Sequence, residues 1–303
     1  MYALYLLLLA PIGYGLLYWL VPKGNLLHEV VQLPVYLVKT LRVDVSNMQE
    51  EKHRYGKHFR QYLLHFHPTP GTPERQQIIV YLHGGGWQFG KPEMFRANAK
   101  IFTERGYHVF AISYRRVPLN NYQDIRSDML RGMQHLLALR ERHQLMSKKI
   151  CFGGMSAGAH LVAMLLYDRE QLQQLGLTQA DISGIFLCGA PLDLRQMQWT
   201  PTLRILAGPE ESDTFKAANP IEFLQADEQT PVLAFHATRD GLVRYPAGAV
   251  FLDRLATINP EIVEFHTLQD QIHLDSGTWV MEDNWIRKRL ISWLEEREVA
   301  LSS

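Results

Sequence analysis

The stretch Gly154-Met155-Ser156-Ala157-Gly158 sets a hydroxyl midway between two glycines, in the pattern of a nucleophile elbow. A serine hydroxyl is a poor nucleophile at neutral pH. It needs a base in reach and a third group that orients the base. Both candidates lie downstream. Asp240 follows the apolar run at 231–236, and His273 lies on a loop after the run at 262–266. An acid just past the carboxyl end of a strand sits where open parallel sheets build their sites. Ser156, Asp240 and His273 thus occur in chain order, each on a strand-end loop. Together they could transfer an acyl group through a covalent serine intermediate.

Other residues compete for these roles. Asp193 follows the run at 182–188 and is a second candidate acid. His266 is still at a strand end, so the pleat fixes its ring direction. His160 follows the elbow directly and is expected to hydrogen-bond locally. Asp270 and Asp275 read as loop solvation. His83-Gly84-Gly85-Gly86-Trp87 ends the run at 78–82. Its three glycines leave backbone N–H groups free to point into a cavity, so the loop could stabilise an oxyanion, with His83 bracing it. A phosphate cradle fits less well, because G-x-x-x-x-G-K-[ST] is absent. His65 and His67 share one strand face at i and i+2. That spacing can hold a metal, but the sequence puts no carboxylate or third ligand beside them, and a solvated strand face is the expectation.

These residues need a scaffold. The runs 78–82, 108–114, 182–188 and 231–236 are continuously apolar, as strands buried on both faces are. A further strand is expected at 262–266, an early one over 58–67, and the short run before Gly154 leads into the elbow. Helical stretches at 97–105, 124–142, from 159 to 166 and at 285–297 alternate with them, which implies a parallel sheet with right-handed crossovers. The patchy segment 196–229 could supply cap helices over a pocket.

The chain has 303 residues, enough for one large α/β domain. Lys plus Arg is 31 and Asp plus Glu is 31, with no basic stripe, so no nucleic-acid partner is expected. Cys151 and Cys188 fall inside strand-like runs and read as reduced core thiols. Residues 1–21 carry no charged side chain and are about long enough to cross a bilayer core. They read as a membrane anchor; a cleaved signal peptide, which would leave the body secreted or periplasmic, and a helix docked on the body are the alternatives. Lys23, Lys39 and Arg42 follow the run, which would put the body on the cytoplasmic side. Residues 22–57 form an intermediate segment. Its apolar part, 26–41, is broken by Pro34 and punctuated by Glu29 and Lys39. It could lie on a membrane surface, close as a lid, or pack on the body, and 43–55 reads as linker. Residues 58–303 form the expected catalytic domain.

The HGGGW stretch at 83–87, Tyr114-Arg115 with Pro118, the elbow through His160, and the loops of Asp240 and His273 together resemble the α/β-hydrolase fold. The resemblance covers about residues 60–298. Within that fold the resemblance is to esterases with an HGG oxyanion loop, a group that includes hormone-sensitive-lipase-like carboxylesterases, kynurenine formamidases and isoprenylcysteine methylesterases. It implies a mostly parallel sheet with helices on both faces and a small helical cap. It also implies Ser156 as nucleophile, His273 as base, Asp240 as its orienter, and backbone N–H groups of Gly85, Gly86 and Ala157 as the oxyanion hole. Hormone-sensitive-lipase-like members carry GDSAGG at the elbow, whereas this chain has Met155 and Ala159, a form more like the formamidase and methylesterase branches. The expected activity is carboxylic ester hydrolysis on a small or hydrophobic, lipid-like substrate, with Trp87, Phe89 and Met155 on the acyl side. An amide hydrolase of the arylformamidase type uses the same machinery and stays open, as does a catalytically silent binding protein. No metal or organic cofactor is required, because nucleophile, base and electrophilic donors all come from the chain.

Overall fold

The apolar runs pair into one sheet. In the computed structural model, which describes residue 15 and residues 20–302, the strands are β1 (Glu50–Arg54), β2 (Tyr62–Phe66), β3 (Gln77–Leu82), β4 (His108–Ile112), β5 (Lys149–Met155), β6 (Ile182–Cys188), β7 (Val232–Ala237) and β8 (Val263–Leu268). They form an eight-stranded sheet in the order β1-β2-β4-β3-β5-β6-β7-β8. β1 and β2 are antiparallel to their neighbours, and every pairing from β4 to β8 is parallel. This is the mostly parallel sheet that the resemblance implies.

Alternate residues of the central strands feed two cores, which is why their sequences read as unbroken apolar runs. Ile78, Val80 and Leu82 of β3 point to one face, where α3 (Tyr122–Arg142) packs through Ile125, Met129, Met133 and Leu136. α3 starts on a reciprocal cap in which Asn121 accepts from the Asp124 N–H and Asp124 accepts from the Asn121 N–H. α4 (Ala157–Tyr167) and α8 (Tyr245–Ile258) share that face, and every residue of α4 is buried. Ile79 and Tyr81 point to the other face, covered by α2 (Arg96–Thr103) and α9 (Trp285–Ser302) through Phe102, Leu290 and Trp293. Cys151 and Cys188 are buried, unpaired thiols there, and burial pushes Cys188 up to about 12. α5 (Arg169–Gln174) follows α4, and the short helices α6 (Pro201–Ala207) and α7 (Asp213–Lys216) lie in the segment expected to supply a cap.

One segment differs from expectation, and another takes one of the alternatives left open for it. The polar stretch expected as linker contains β1, whose residues EEKHR show no apolar alternation; its ladder with β2, running from Glu50 opposite Phe66 to Arg54 opposite Tyr62, makes it a strand. The apolar stretch at 26–41 is a helix, α1 (Leu26–Leu41), capped by Asn25 accepting from the Leu27 N–H. It packs on the body: the Tyr36 hydroxyl donates to the Gly277 carbonyl at 3.2 Å, and Lys39 pairs with Glu282 at 3.2 Å.

The expectation of a transmembrane segment, and of membrane attachment through it, is corrected. Among the described residues no helix is long and apolar enough to cross a membrane. α1 has 16 residues, about 24 Å at helical rise, against about 30 Å of bilayer core, and it carries Glu29 and Lys39. Residues 1–21, on which the anchor and the alternatives to it fell, lie outside the described residues apart from Gly15, Leu20 and Val21.

Candidate active site

β5 runs straight into α4, and Ser156 is the hinge between them. Its backbone sits at φ 55°, ψ −125°, in the left-handed region for a residue that is not glycine. Such a conformation costs on the order of 1–3 kcal/mol and persists only where the surroundings hold it. Here the Ser156 N–H donates to the Cys188 carbonyl at 2.8 Å, and its own carbonyl accepts from the His160 N–H at 3.1 Å. The close approach of α4 to β3 depends on Gly158, where a Cβ would lie 2.0 Å from the Leu82 carbonyl oxygen.

The glycine loop leaves β3 beside this hinge. A Cβ on Gly84 would stand 3.5 Å from the Ser156 Cβ. Gly85 and Gly86 follow at φ 120° and 56°, and the Gly85 carbonyl accepts from the N–H of Gln88 and of Phe89. Gln88 is tied in turn to Thr202, linking the loop to α6. His83 braces the loop: its ring stacks on Tyr114 at 4.7 Å, its Nδ1 bonds the Gly84 carbonyl, and the Tyr114 hydroxyl donates to the His83 carbonyl. Burial holds the His83 imidazole down at about 4.

Asp240 and His273 come together on the loops after β7 and β8. His273 Nδ1 lies 2.6 Å from Asp240 Oδ2, and both side chains are almost fully buried. Asp240 Oδ1 accepts from the N–H of Leu242 and Val243 at 2.9 and 2.6 Å, so the carboxylate is fixed from both sides. Burial raises the pKa of Asp240, but His273 and the hydrogen bonds of His236 and His273 outweigh it and hold the carboxyl well below the usual range. Burial likewise lowers His273, but the Asp240 charge, the hydrogen bond and the Glu29 charge outweigh it, so its imidazole is more basic than usual. The ring edge of His273 lies against Gly189, where a Cβ would stand 2.9 Å from its Cε1. Gly189 follows Cys188, whose carbonyl holds Ser156.

One residue at this site was not singled out from sequence. Glu29 of α1 is 2% exposed, and its Oε1 accepts from the His273 N–H at 2.8 Å and the Gly241 N–H at 3.1 Å. It thereby ties together the loops of Asp240 and His273. Burial raises its pKa. The signal in the sequence was an acid within an apolar helical run, one turn past an Asn cap.

The rivals are occupied elsewhere. Asp193 caps a helical turn at the Arg195 N–H and faces Asn219 and Arg195. His266 bonds Glu264 at 2.6 Å and stacks on Phe235. His160 is buried between the Trp87 indole N–H and the Ala218 carbonyl, and burial lowers it to about 4. Asp270 is exposed and faces Arg239, and Asp275 accepts from the Ile272 N–H. Of the residues expected on the acyl side, Trp87 is buried on His160, Phe89 is 69% exposed, and Met155 is buried beside Gly277 near Tyr36. His65 is not on a solvated face: it is fully buried and stacks on Phe110 at 4.1 Å. The fold brings to it the third histidine and the carboxylate that the local sequence lacks.

Comparison with known proteins agrees with this architecture. The family model BD-FAE matches residues 65–255, more than half of the chain. Kynurenine formamidase of Salmo salar is 32% identical over 117 residues, 39% of this chain and 37% of the relative. Isoprenylcysteine α-carbonyl methylesterase of Arabidopsis thaliana is 22% identical over 198 residues, 60% of this chain and 46% of the relative. The chain thus spans less than half the length of either of these two curated relatives. Among solved structures, a truncated carbohydrate esterase from gut microbiota superposes with a TM-score of 0.71 at 15% identity, covering 85% of this chain and 99% of the other. Esterase B from Lactobacillus rhamnosis gives 0.67 at 15% identity, covering 90% and 94%. The fold is the α/β-hydrolase fold.

Proposed function

Because the chain belongs to the BD-FAE family, we propose that it is a serine hydrolase that cleaves a carboxylic ester of a small or hydrophobic acid. The observation that carries the reading is the buried 2.6 Å contact between Asp240 and His273 on loops beside the Ser156 hinge. In this reading Ser156 Oγ attacks the ester carbonyl while His273 Nε2 takes its proton. Asp240 holds the imidazole through Nδ1 and stabilises the imidazolium. The N–H groups of Gly85, Gly86 and Ala157 receive the developing oxyanion, each donor being worth roughly 3–4 kcal/mol by analogy with acyl-transfer enzymes. His273 then protonates the leaving alcohol, and water, deprotonated by the same base, releases the acid from Ser156.

The test is hydrolysis of p-nitrophenyl esters from acetate to palmitate by the wild type and Ser156→Ala, with fluorophosphonate labelling of both. Turnover and labelling are expected in the wild type alone. Undiminished labelling of Ser156→Ala removes Ser156 as nucleophile. A second reading, formamide hydrolysis by the same groups, is supported by the similarity to kynurenine formamidases. Rates on a matched aryl ester and aryl formamide separate the two, since a formamidase turns over the formamide faster.

A further inference from the structure

A second cluster of chemistry-bearing side chains lies at the far end of the sheet from Ser156. Its members come from three adjacent strands. Glu51 of β1 sits directly opposite His65 of β2, and His65 sits opposite Phe110 of β4. His67 shares the face of His65, and His108 shares the face of Phe110, each two residues away. The imidazole rings of His65 and His67 lie 4.0 Å apart and those of His65 and His108 5.2 Å apart. One ligand atom from each of His65, His67 and His108 falls within 4.8 Å of the other two.

We propose that His65, His67 and His108, with the Glu51 carboxylate, bind a divalent transition-metal ion of the zinc type and so clamp β1, β2 and β4. Four observations support this. First, His65 Nε2 and His108 Nδ1 face each other at 2.9 Å, sharing one proton. Zinc–nitrogen bonds of 2.0–2.1 Å in tetrahedral geometry separate two ligand nitrogens by about 3.3 Å, so a small opening lets the cation replace that proton. Second, Glu51 Oε1 already stands 3.1 Å from His67 Nε2, which puts the fourth ligand at the third. Third, the outer groups are in place. His53 holds the other Glu51 oxygen at 3.1 Å, and Glu74 reaches His108 Nε2 at 3.5 Å while Lys148 steadies it at 3.1 Å. A carboxylate behind a ligating histidine fixes its tautomer and raises its basicity. Fourth, His65 is fully buried, and the contact of its Nε2 with His108 is the one hydrogen bond its ring makes among the described residues. Imidazole with one carboxylate favours zinc, copper or nickel over calcium or magnesium.

The experiment uses the full chain without a histidine tag, stripped with a chelator and then given zinc ions. After desalting, the wild type is expected to retain one zinc per chain and to melt at higher temperature than the stripped form. Cobalt ions in place of zinc are expected to give the visible absorption of a tetrahedral nitrogen-rich site. His67→Gln is expected to lose both the retained zinc and the thermal gain. Glu74→Gln, at a half-exposed outer position that leaves the core intact, is expected to weaken zinc binding by roughly 10–100-fold. Circular dichroism of each stripped variant checks that it is folded. A wild type that retains no zinc overturns the proposal. So does a folded His67→Gln chain that keeps the same zinc and the same thermal gain.

Discussion

At the scale of single residues, the proposed base is governed by two carboxylates. Asp240→Asn keeps the shape but favours the wrong imidazole tautomer, and a fall in kcat of roughly four orders of magnitude is expected by analogy with other serine triads. Steady-state kinetics on a short-chain ester measures it. Glu29 contributes through its charge and through two accepted N–H bonds. Catalysis needs His273 neutral, and its pKa is raised above the ordinary 6.5, so the acid limb of kcat/KM is expected above pH 6.5. Glu29→Gln keeps an acceptor but removes a negative charge, which makes the imidazolium less favourable. Its acid limb is therefore expected at lower pH than wild type, with the plateau rate little changed. Glu29→Leu removes the acceptor as well and is expected to lower the plateau. If the pH–rate profile of Glu29→Gln overlays that of the wild type, Glu29 does not act on His273.

At the scale of elements, legibility followed burial. The central strands were readable because burial on both faces leaves no room for polar side chains, and the elbow because a strained turn between packed elements demands small residues. Adding one methyl at Gly158 is expected to destabilise by at least the 1–3 kcal/mol typical of overpacking, seen as a lower Tm of Gly158→Ala, because the obstructing atom is the Leu82 backbone carbonyl. β1 was illegible because its strand character comes from its partner: EEKHR has neither alternation nor β-branched residues, and only the ladder to β2 orders it. Glu29 and the histidine cluster were missed for a related reason. Each joins residues far apart in the chain, and spacing along a sequence does not report a contact across strands or between terminal elements.

At the scale of the whole molecule, buried neutral imidazoles make stability depend on pH. His83 and His160 are lowered to about 4 in the folded chain, against about 6.5 when unfolded. Between those values the unfolded chain binds protons that the folded chain does not, so stability rises with pH across that window and is lost as pH falls from about 6.5 to about 4. Thermal melts in chelator, which keeps metal effects out, are expected to show that fall, and His160→Gln is expected to flatten it. The Glu29 contacts have a further consequence for how the molecule is made. The carboxylate and the His273 amide it accepts from are 244 positions apart in the chain. A ribosome delivers α1 long before the loops it fastens, so the helix waits for them while the intervening strands are made. The proposed catalytic pair can be locked only after the sheet between these two partners has been made, so completion of the site must follow synthesis of its scaffold.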